Sequence, residues 1–110
     1  MKDFIILFKG GLMDDTAPEV MEKNMVHWHK WMDELSKSGK MTGGNRLRTT
    51  GRVLTSSNGK ITDKPYAETK EVVSGYISIK AEDYAEAVEI AKGCPIFNSN
   101  GTCEVGEIWG

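Results

Sequence analysis

The densest group of side chains that could do chemistry lies at residues 63–71, with the sequence DKPYAETKE. Carboxylates, lysines, a hydroxyl and a phenol surround Pro65, and the segment runs directly into the apolar sequence VVSGYISI. Proline restricts the backbone of the segment, and the apolar residues that follow it are typical of a buried strand. The pattern therefore predicts a polar loop held at the mouth of a cavity.

Within and near this loop, the candidate acid–base groups are Asp63 and Glu68. Lys70 or Arg46 could pair with an anionic group of a substrate, and Tyr66 could donate a hydrogen bond or stack on it. A structural role fits the same residues: Asp63 could cap the proline turn, and Glu68 and Lys70 could form a solvated ion network. The sequence leaves both alternatives open.

The two histidines, His27 and His29, lie on the first predicted helix. At about 100° per residue, each falls at an edge of the apolar stripe of that helix, and the two diverge by about 200°. This divergence excludes joint binding of one metal ion, so no metal site is predicted. Tryptophans on the stripe could anchor the core or wall a ligand pocket. The stripe consists of Met21, Met25, Trp28, Trp31, Met32 and Leu35.

Hydrophobic patterning predicts alternating strands and helices. The apolar run at residues 4–8 is typical of a central strand that is buried on both sides. A helix is expected from a Thr16 cap to Gly39, and a tight hairpin turn is expected at Asn58-Gly59. Further strands are predicted at 41–47, 52–54, 71–80 and 102–109.

The second helix is predicted to begin near residues 81–83 and to stop at Gly93 and Pro95. Its expected inner positions are Ala85, Val88, Ile90 and Ala91.

This element order predicts an α+β, ferredoxin-like sandwich with an inserted β-hairpin, formed by residues 1–110 as a single domain. Two helices would cover one face of a mainly antiparallel sheet and leave the other face open. Strand alternation around Tyr76, Ile77 and Ile79 places apolar side chains on both faces. A homodimer in which two sheets meet, a dimeric α/β barrel, is therefore predicted.

Charge, apolar runs and cysteine content favour some classes of function over others. The formal net charge of −2 gives no basic footprint for nucleic acid. The apolar run near the start is too short to span a bilayer and has no cleavage site behind it, so a cytoplasmic protein without membrane contact is expected. Two cysteines, Cys94 and Cys103, are too few for a disulfide scaffold and are expected as free thiols. No nucleotide or phosphate-binding motif is found, and no cofactor is predicted.

The DKPYAETKE segment, followed by Gly75-Tyr76 and by AKGCP at 91–95, resembles the signature of the YCII-related superfamily, in particular its DGPF branch. That branch is named after an Asp-Gly-Pro-Phe tetrapeptide, in which Lys64 and Tyr66 here replace the glycine and the phenylalanine. The resemblance covers nearly the whole chain. It implies a ferredoxin-like dimeric α/β barrel, in agreement with the element order.

The same resemblance implies candidate catalytic positions. In shorter YCII proteins, a histidine of the first helix and an aspartate near the end of the second resemble an acid–base dyad, and a relative of that type eliminates chloride from a chlorinated aromatic. The family histidine corresponds to His27, and the family aspartate corresponds to Cys94. A thiol cannot orient an imidazole as a carboxylate does, so His27 needs another acid partner.

Two function classes follow from these observations. The first is a small cofactor-free enzyme that transfers protons on an aromatic or lactone-like metabolite, with His27 as acid or base and Glu68 or Asp63 as its partner. Its pocket would be walled by Trp28, Trp31 and Tyr66. The second is a non-catalytic binding or interaction module, since members of the DGPF branch occur beside or fused to transcription sigma factors.

Overall fold

The computed structural model describes residues 1–65 and 72–110. Helices and strands alternate in the order that the sequence predicts, with a short 3₁₀ helix before the last strand. The elements are β1 (Lys2–Lys9), α1 (Pro18–Lys37), β2 (Met41–Arg46), β3 (Arg52–Ser57), β4 (Lys60–Pro65), β5 (Val73–Ala81), α2 (Tyr84–Lys92), the 3₁₀ helix (Pro95–Ser99) and β6 (Thr102–Glu107).

Four strands form one sheet in the order β2-β5-β1-β6, and every neighbouring pair is antiparallel. The connections β1-α1-β2 and β5-α2-β6 each pass over one intervening strand, which is the ferredoxin-like arrangement. Among the described residues, strands β3 and β4 pair with each other alone and form the inserted hairpin. The predicted fold class is therefore confirmed.

The core lies between this sheet and the two helices. On β1, the side chains of Phe4, Ile6 and Phe8 are buried on the helix side, as expected for alternate residues of a strand. Ile5 and Leu7, which point to the opposite face, are half-buried. The sequence predicts a strand that is buried on both sides. Within one chain, β1 is fully buried on one side only.

The start of α1 differs from the prediction. Ala17, and not Thr16, is the residue that precedes the first helical turn, and its side chain makes no capping hydrogen bond. The N–H of Thr16 instead donates to the carbonyl of Met13 at 3.0 Å, which closes a turn ahead of the helix. Pro18 occupies the first turn, where its fixed φ favours helix initiation without a side-chain cap. The predicted end is confirmed, since Gly39 adopts a φ of +75° just beyond the helix.

The inner face of α2 is only partly the predicted one. Ala91 is buried and Ile90 is half-buried, as expected, but Ala85 and Val88 are exposed. Ala87 is buried instead. Because residues four apart lie on the same side of a helix, Ala87 and Ala91 form the stripe that contacts the sheet.

Two local signals are confirmed. Asn58 and Gly59 adopt φ values of +51° and +79°, as a tight two-residue hairpin turn requires. At the start of α2, a carboxylate oxygen of Asp83 accepts a hydrogen bond from the N–H of Glu86 at 2.9 Å. This contact satisfies one of the free N–H groups of the first helical turn.

Candidate functional site

A cavity of about 290 Å³ lies between α1 and the sheet. This volume is close to the lower end of the range for small-molecule sites. Its wall is mainly apolar, and unbranched methionines provide much of it, which suits a site that must adapt its shape to a ligand. The described apolar residues that line it are Phe8, Leu12, Met21, Met25, Trp28, Met32, Met41, Ile77 and Ile96.

Aromatic rings fix one side of this cavity. Trp28 packs edge-to-face on Phe8, with ring centroids 4.8 Å apart, and on Trp31, with centroids 5.9 Å apart. Trp31 is only 9% exposed and lies in the core. Of the two predicted ligand-binding indoles, the structure therefore places Trp28 on the cavity wall and Trp31 behind it as a support.

Arg46, the last residue of β2, also lines the cavity. Its Nη2 lies 3.4 Å from the sulfur of Met21, which is a weak acceptor. Among the ion pairs of the described residues, none joins Arg46 to a carboxylate. Its guanidinium is therefore available to an anionic or strongly polar ligand group, which is the role that the sequence predicts for it.

Two polar residues near the cavity, Asn45 and Ser74, form hydrogen bonds to neighbouring strands. The Nδ2 of Asn45 donates to the hydroxyl of Tyr76 at 3.0 Å, which ties β2 to β5. The hydroxyl of Ser74 donates to the carbonyl of Phe8 at 3.3 Å. Strand alternation points the Tyr76 side chain to the face opposite Ile77, so this bond lies on the open side of the sheet.

The structure does not bring His27 or Asp63 to this cavity. His27 is exposed on α1 and is not among the described lining residues. Asp63 lies on β4 and forms a two-point ion pair with Arg52, with Nε–Oδ1 at 2.9 Å and Nη2–Oδ2 at 3.1 Å. The hydrogen bond from Arg52 lowers the pKa of Asp63, so this carboxylate is ionised and engaged within the hairpin.

The remaining predicted site residues, Tyr66, Glu68 and Lys70, lie outside the described residues. Just after them, the carbonyl of Val72 accepts a hydrogen bond from the N–H of Gly10 at 2.9 Å. Gly10 lines the cavity, so Val72, the first described residue after the segment, is bonded to a residue of the cavity wall.

Residues 10–110 match the YCII-related domain. The chain belongs to this family. Among solved structures, this YCII-related domain is similar to 5-chloro-2-hydroxyhydroquinone dehydrochlorinase (TftG) from Burkholderia phenoliruptrix AC1100, in a complex with 2,5-dihydroxybenzoquinone. The TM-score is 0.52 at 14% identity, over 98% of this chain and 93% of that one, so the two share a fold. No curated protein sequence matches this chain.

At the position where the resemblance puts an aspartate, this chain has a thiol, and that thiol has a structural role. Cys94 is buried, and its sulfur accepts a hydrogen bond from the N–H of Ile96 at 3.4 Å at the start of the 3₁₀ helix. Burial raises the pKa of Cys94 to about 12 against the opposing effect of this bond, so the thiol stays neutral. Cys94 thus caps the turn that carries Ile96 and Ser99 to the cavity wall.

The predicted free thiols are confirmed, since Cys94 and Cys103 are unbridged. Burial also raises the pKa of Cys103. Within the ranges 1–65 and 72–110, no three His, Cys, Asp or Glu side chains converge as a metal site would require. The helices of this same part of the chain are too short or too polar to cross a bilayer.

Several cavity residues were not predicted as site residues. Met21 and Met25 were assigned to the core, and Asn24 was not considered. A signal for Asn24 was present, since it lies about 60° from Met21 on the helix and so within reach of the apolar stripe. A polar residue beside such a stripe can face a cavity or solvent, and Asn24 faces the cavity.

Proposed function

We propose that this YCII-related domain binds a small aromatic molecule in the cavity between α1 and the sheet. The observation that carries this proposal is an apolar cavity walled by Trp28, with the guanidinium of Arg46 at its side. An aromatic ring would contact Trp28 and the methionines, and a phenolate, quinone or carboxylate oxygen would accept hydrogen bonds from Arg46. TftG has this fold and was solved with 2,5-dihydroxybenzoquinone, a planar ring with oxygen substituents, which supports the same ligand class by analogy.

The reaction that we propose for this domain is proton transfer on a bound aromatic or lactone-like compound. TftG, a dehydrochlorinase, supports this reaction class by fold analogy alone. His27, with Asp63 or Glu68, is the proposed acid–base group. Because His27 lies outside the cavity wall, a catalytic role requires a ligand atom that extends past the wall towards the exposed face of α1.

The proposed assembly is a homodimer in which the open sheet faces of two copies meet. Half-buried Ile5, Leu7 and Tyr76 lie on that face. Lys80 and Asp3 form a cross-strand ion pair 2.7 Å long, so neither of these two charges would be buried unpaired in such an interface. A dimer mass in sedimentation equilibrium that becomes a monomer mass in Leu7→Lys would support this assembly, and a monomeric parent protein would contradict it.

The ligand site predicts different effects for two tryptophan substitutions. Trp28→Ala is expected to weaken binding of 2,5-dihydroxybenzoquinone or a related phenol about tenfold or more, because the ligand ring loses its contact with the indole. Trp109→Ala is the matched control, since Trp109 is 99% exposed and is not among the described residues that line the cavity. Isothermal titration calorimetry gives both affinities, and circular dichroism verifies that each variant is folded.

Equal affinity in Trp28→Ala and Trp109→Ala would contradict the ligand site. If no phenol or quinone binds the folded parent protein, the interaction-module alternative is favoured. For catalysis, turnover that is lost in His27→Ala but kept in His29→Ala would support the role of His27, whereas turnover kept in both would remove it.

A further inference from the structure

We infer that the ligand carries a carboxylate on a short arm and that this group binds between Arg46 and Arg48, in a second cavity beside the first. This inference rests on the proposed function, since the first cavity must hold the aromatic ring. It adds the class of ligand, an aromatic acid in which the ring and the anionic group are separated by a linker.

The second cavity has a volume of about 420 Å³ and lies between the start of α1 and the segment that follows β2. Two of its lining residues, Met21 and Arg46, line the first cavity as well. The contact between them, 3.4 Å from Nη2 to sulfur, marks the boundary between the two cavities. A molecule that occupies both must therefore pass directly beside the guanidinium of Arg46.

The two cavities differ in chemistry. The first is lined mainly by apolar residues, whereas the second contains two guanidinium groups, Arg46 and Arg48, and one carboxylate, Asp14. The formal charges of its described lining residues sum to +1, from two arginines and one aspartate. A division into an apolar and a cationic compartment fits a ligand with a ring at one end and an anion at the other.

Asp14 does not neutralise these arginines by direct contact. It is held by Thr49 in a reciprocal pair, in which the N–H of Thr49 donates to Oδ2 at 3.0 Å and the N–H of Asp14 donates to the Thr49 hydroxyl at 3.1 Å. No ion pair of the described residues includes Arg46 or Arg48. Two guanidinium groups at one cavity provide several N–H donors in a geometry that carboxylates accept well.

Matched acids and amides test this inference. The probes are 4-hydroxyphenylacetate and 3-(4-hydroxyphenyl)propanoate, each compared with its neutral amide by isothermal titration calorimetry. At least one acid is expected to bind about tenfold tighter than its amide, since a hydrogen bond to a charged group is stronger than one to a neutral group. Arg48→Gln is expected to remove this preference by weakening binding of the acid more than binding of the amide.

The control is Arg52→Gln, which removes the same charge from the hairpin, at a position that lines neither cavity. It is expected to keep the preference for the acid. Raising the salt concentration is expected to weaken binding of the acid and to have little effect on the amide.

Each other outcome overturns the inference and separates it from the proposed function. If acid and amide bind the parent protein equally well, the site for the aromatic ring is supported and the site for the anion is contradicted. If the acid is preferred but Arg48→Gln keeps that preference while Arg46→Gln removes it, the anion is held by Arg46 without the second cavity. If no acid or amide binds the folded protein, both the inference and the proposed function are contradicted.

Discussion

Replacement of Phe4 by alanine is expected to lower the free energy of unfolding by about 3–5 kcal/mol. Phe4 is 0% exposed on the central strand of the sheet, and its ring packs edge-to-face on Tyr84 of α2, with centroids 5.0 Å apart. The substitution removes buried apolar surface and leaves a cavity that the surrounding sheet and helix cannot fill. Because small domains are stable by only about 5–15 kcal/mol, this loss is a large fraction of the total stability.

Urea denaturation followed by circular dichroism measures this change. Phe97→Ala provides the matched control, because Phe97 is 48% exposed on the 3₁₀ helix and its loss should cost about 1 kcal/mol or less. Phe4→Leu should lie between Phe4→Ala and the parent protein. If Phe4→Ala and Phe97→Ala had equal effects, the core would not be centred where the structure places it.

Gly44→Ala is expected to cost about 3 kcal/mol of stability, although it adds a single methyl group. Gly44 has a φ of +156°, a conformation that residues with a Cβ rarely adopt. A Cβ there would also lie 2.6 Å from the carbonyl oxygen of Tyr76 and 2.8 Å from a methyl carbon of Ile77. The carbonyl belongs to the paired strand β5, so relief of the contact requires movement of the sheet beside the cavity.

The neighbouring glycine is the control for this prediction. At Gly43, an added Cβ would lie 3.4 Å from the hydroxyl of Ser78, an ordinary distance, and the backbone is not in the positive-φ region. Gly43→Ala is therefore expected to change stability by less than about 1 kcal/mol. Thermal denaturation of the two variants side by side gives the comparison, and equal tolerance of both would show that the backbone of β2 differs from the one described.

Local sequence signals predicted those parts of the fold that depend on short-range physics. The strand at residues 4–8 and the Asn58-Gly59 turn were both predicted, although the structure buries β1 fully on one side and not on both. The inner face of α2 depends on how the helix lies on the sheet, which local sequence does not determine. The choice of Ala87 in place of Val88 follows from that long-range packing.

Part of the candidate site, like part of the fold, could be predicted from the sequence. Trp28 and Arg46 line the cavity as expected, because both belong to elements whose predicted placement is confirmed. Asp63 was predicted as a catalytic group, and the structure shows it paired with Arg52. The hairpin register places Arg52 opposite Pro65 and Leu54 opposite Asp63, so this diagonal pair could have been deduced from the turn position.

The exposure of His27 could not be deduced in the same way. A position at the edge of a helical stripe can face a cavity or solvent, and the rotation of α1 on the sheet decides between them. The structure rotates the helix so that Met21, Met25 and Trp28 face the cavity. His27, beside them in sequence, lies on the exposed side.

The methionines offer the most direct test of ligand binding in the cavity. Four of the six, Met21, Met25, Met32 and Met41, line it, whereas Met1 and Met13 do not. With ¹³C-labelled methionine methyl groups, titration with 2,5-dihydroxybenzoquinone and with 4-hydroxyphenylacetate should shift the NMR signals of the four cavity methionines and leave those of Met1 and Met13 in place. Shifts confined to Met1 and Met13, or none with either compound, would contradict a small-molecule site between α1 and the sheet.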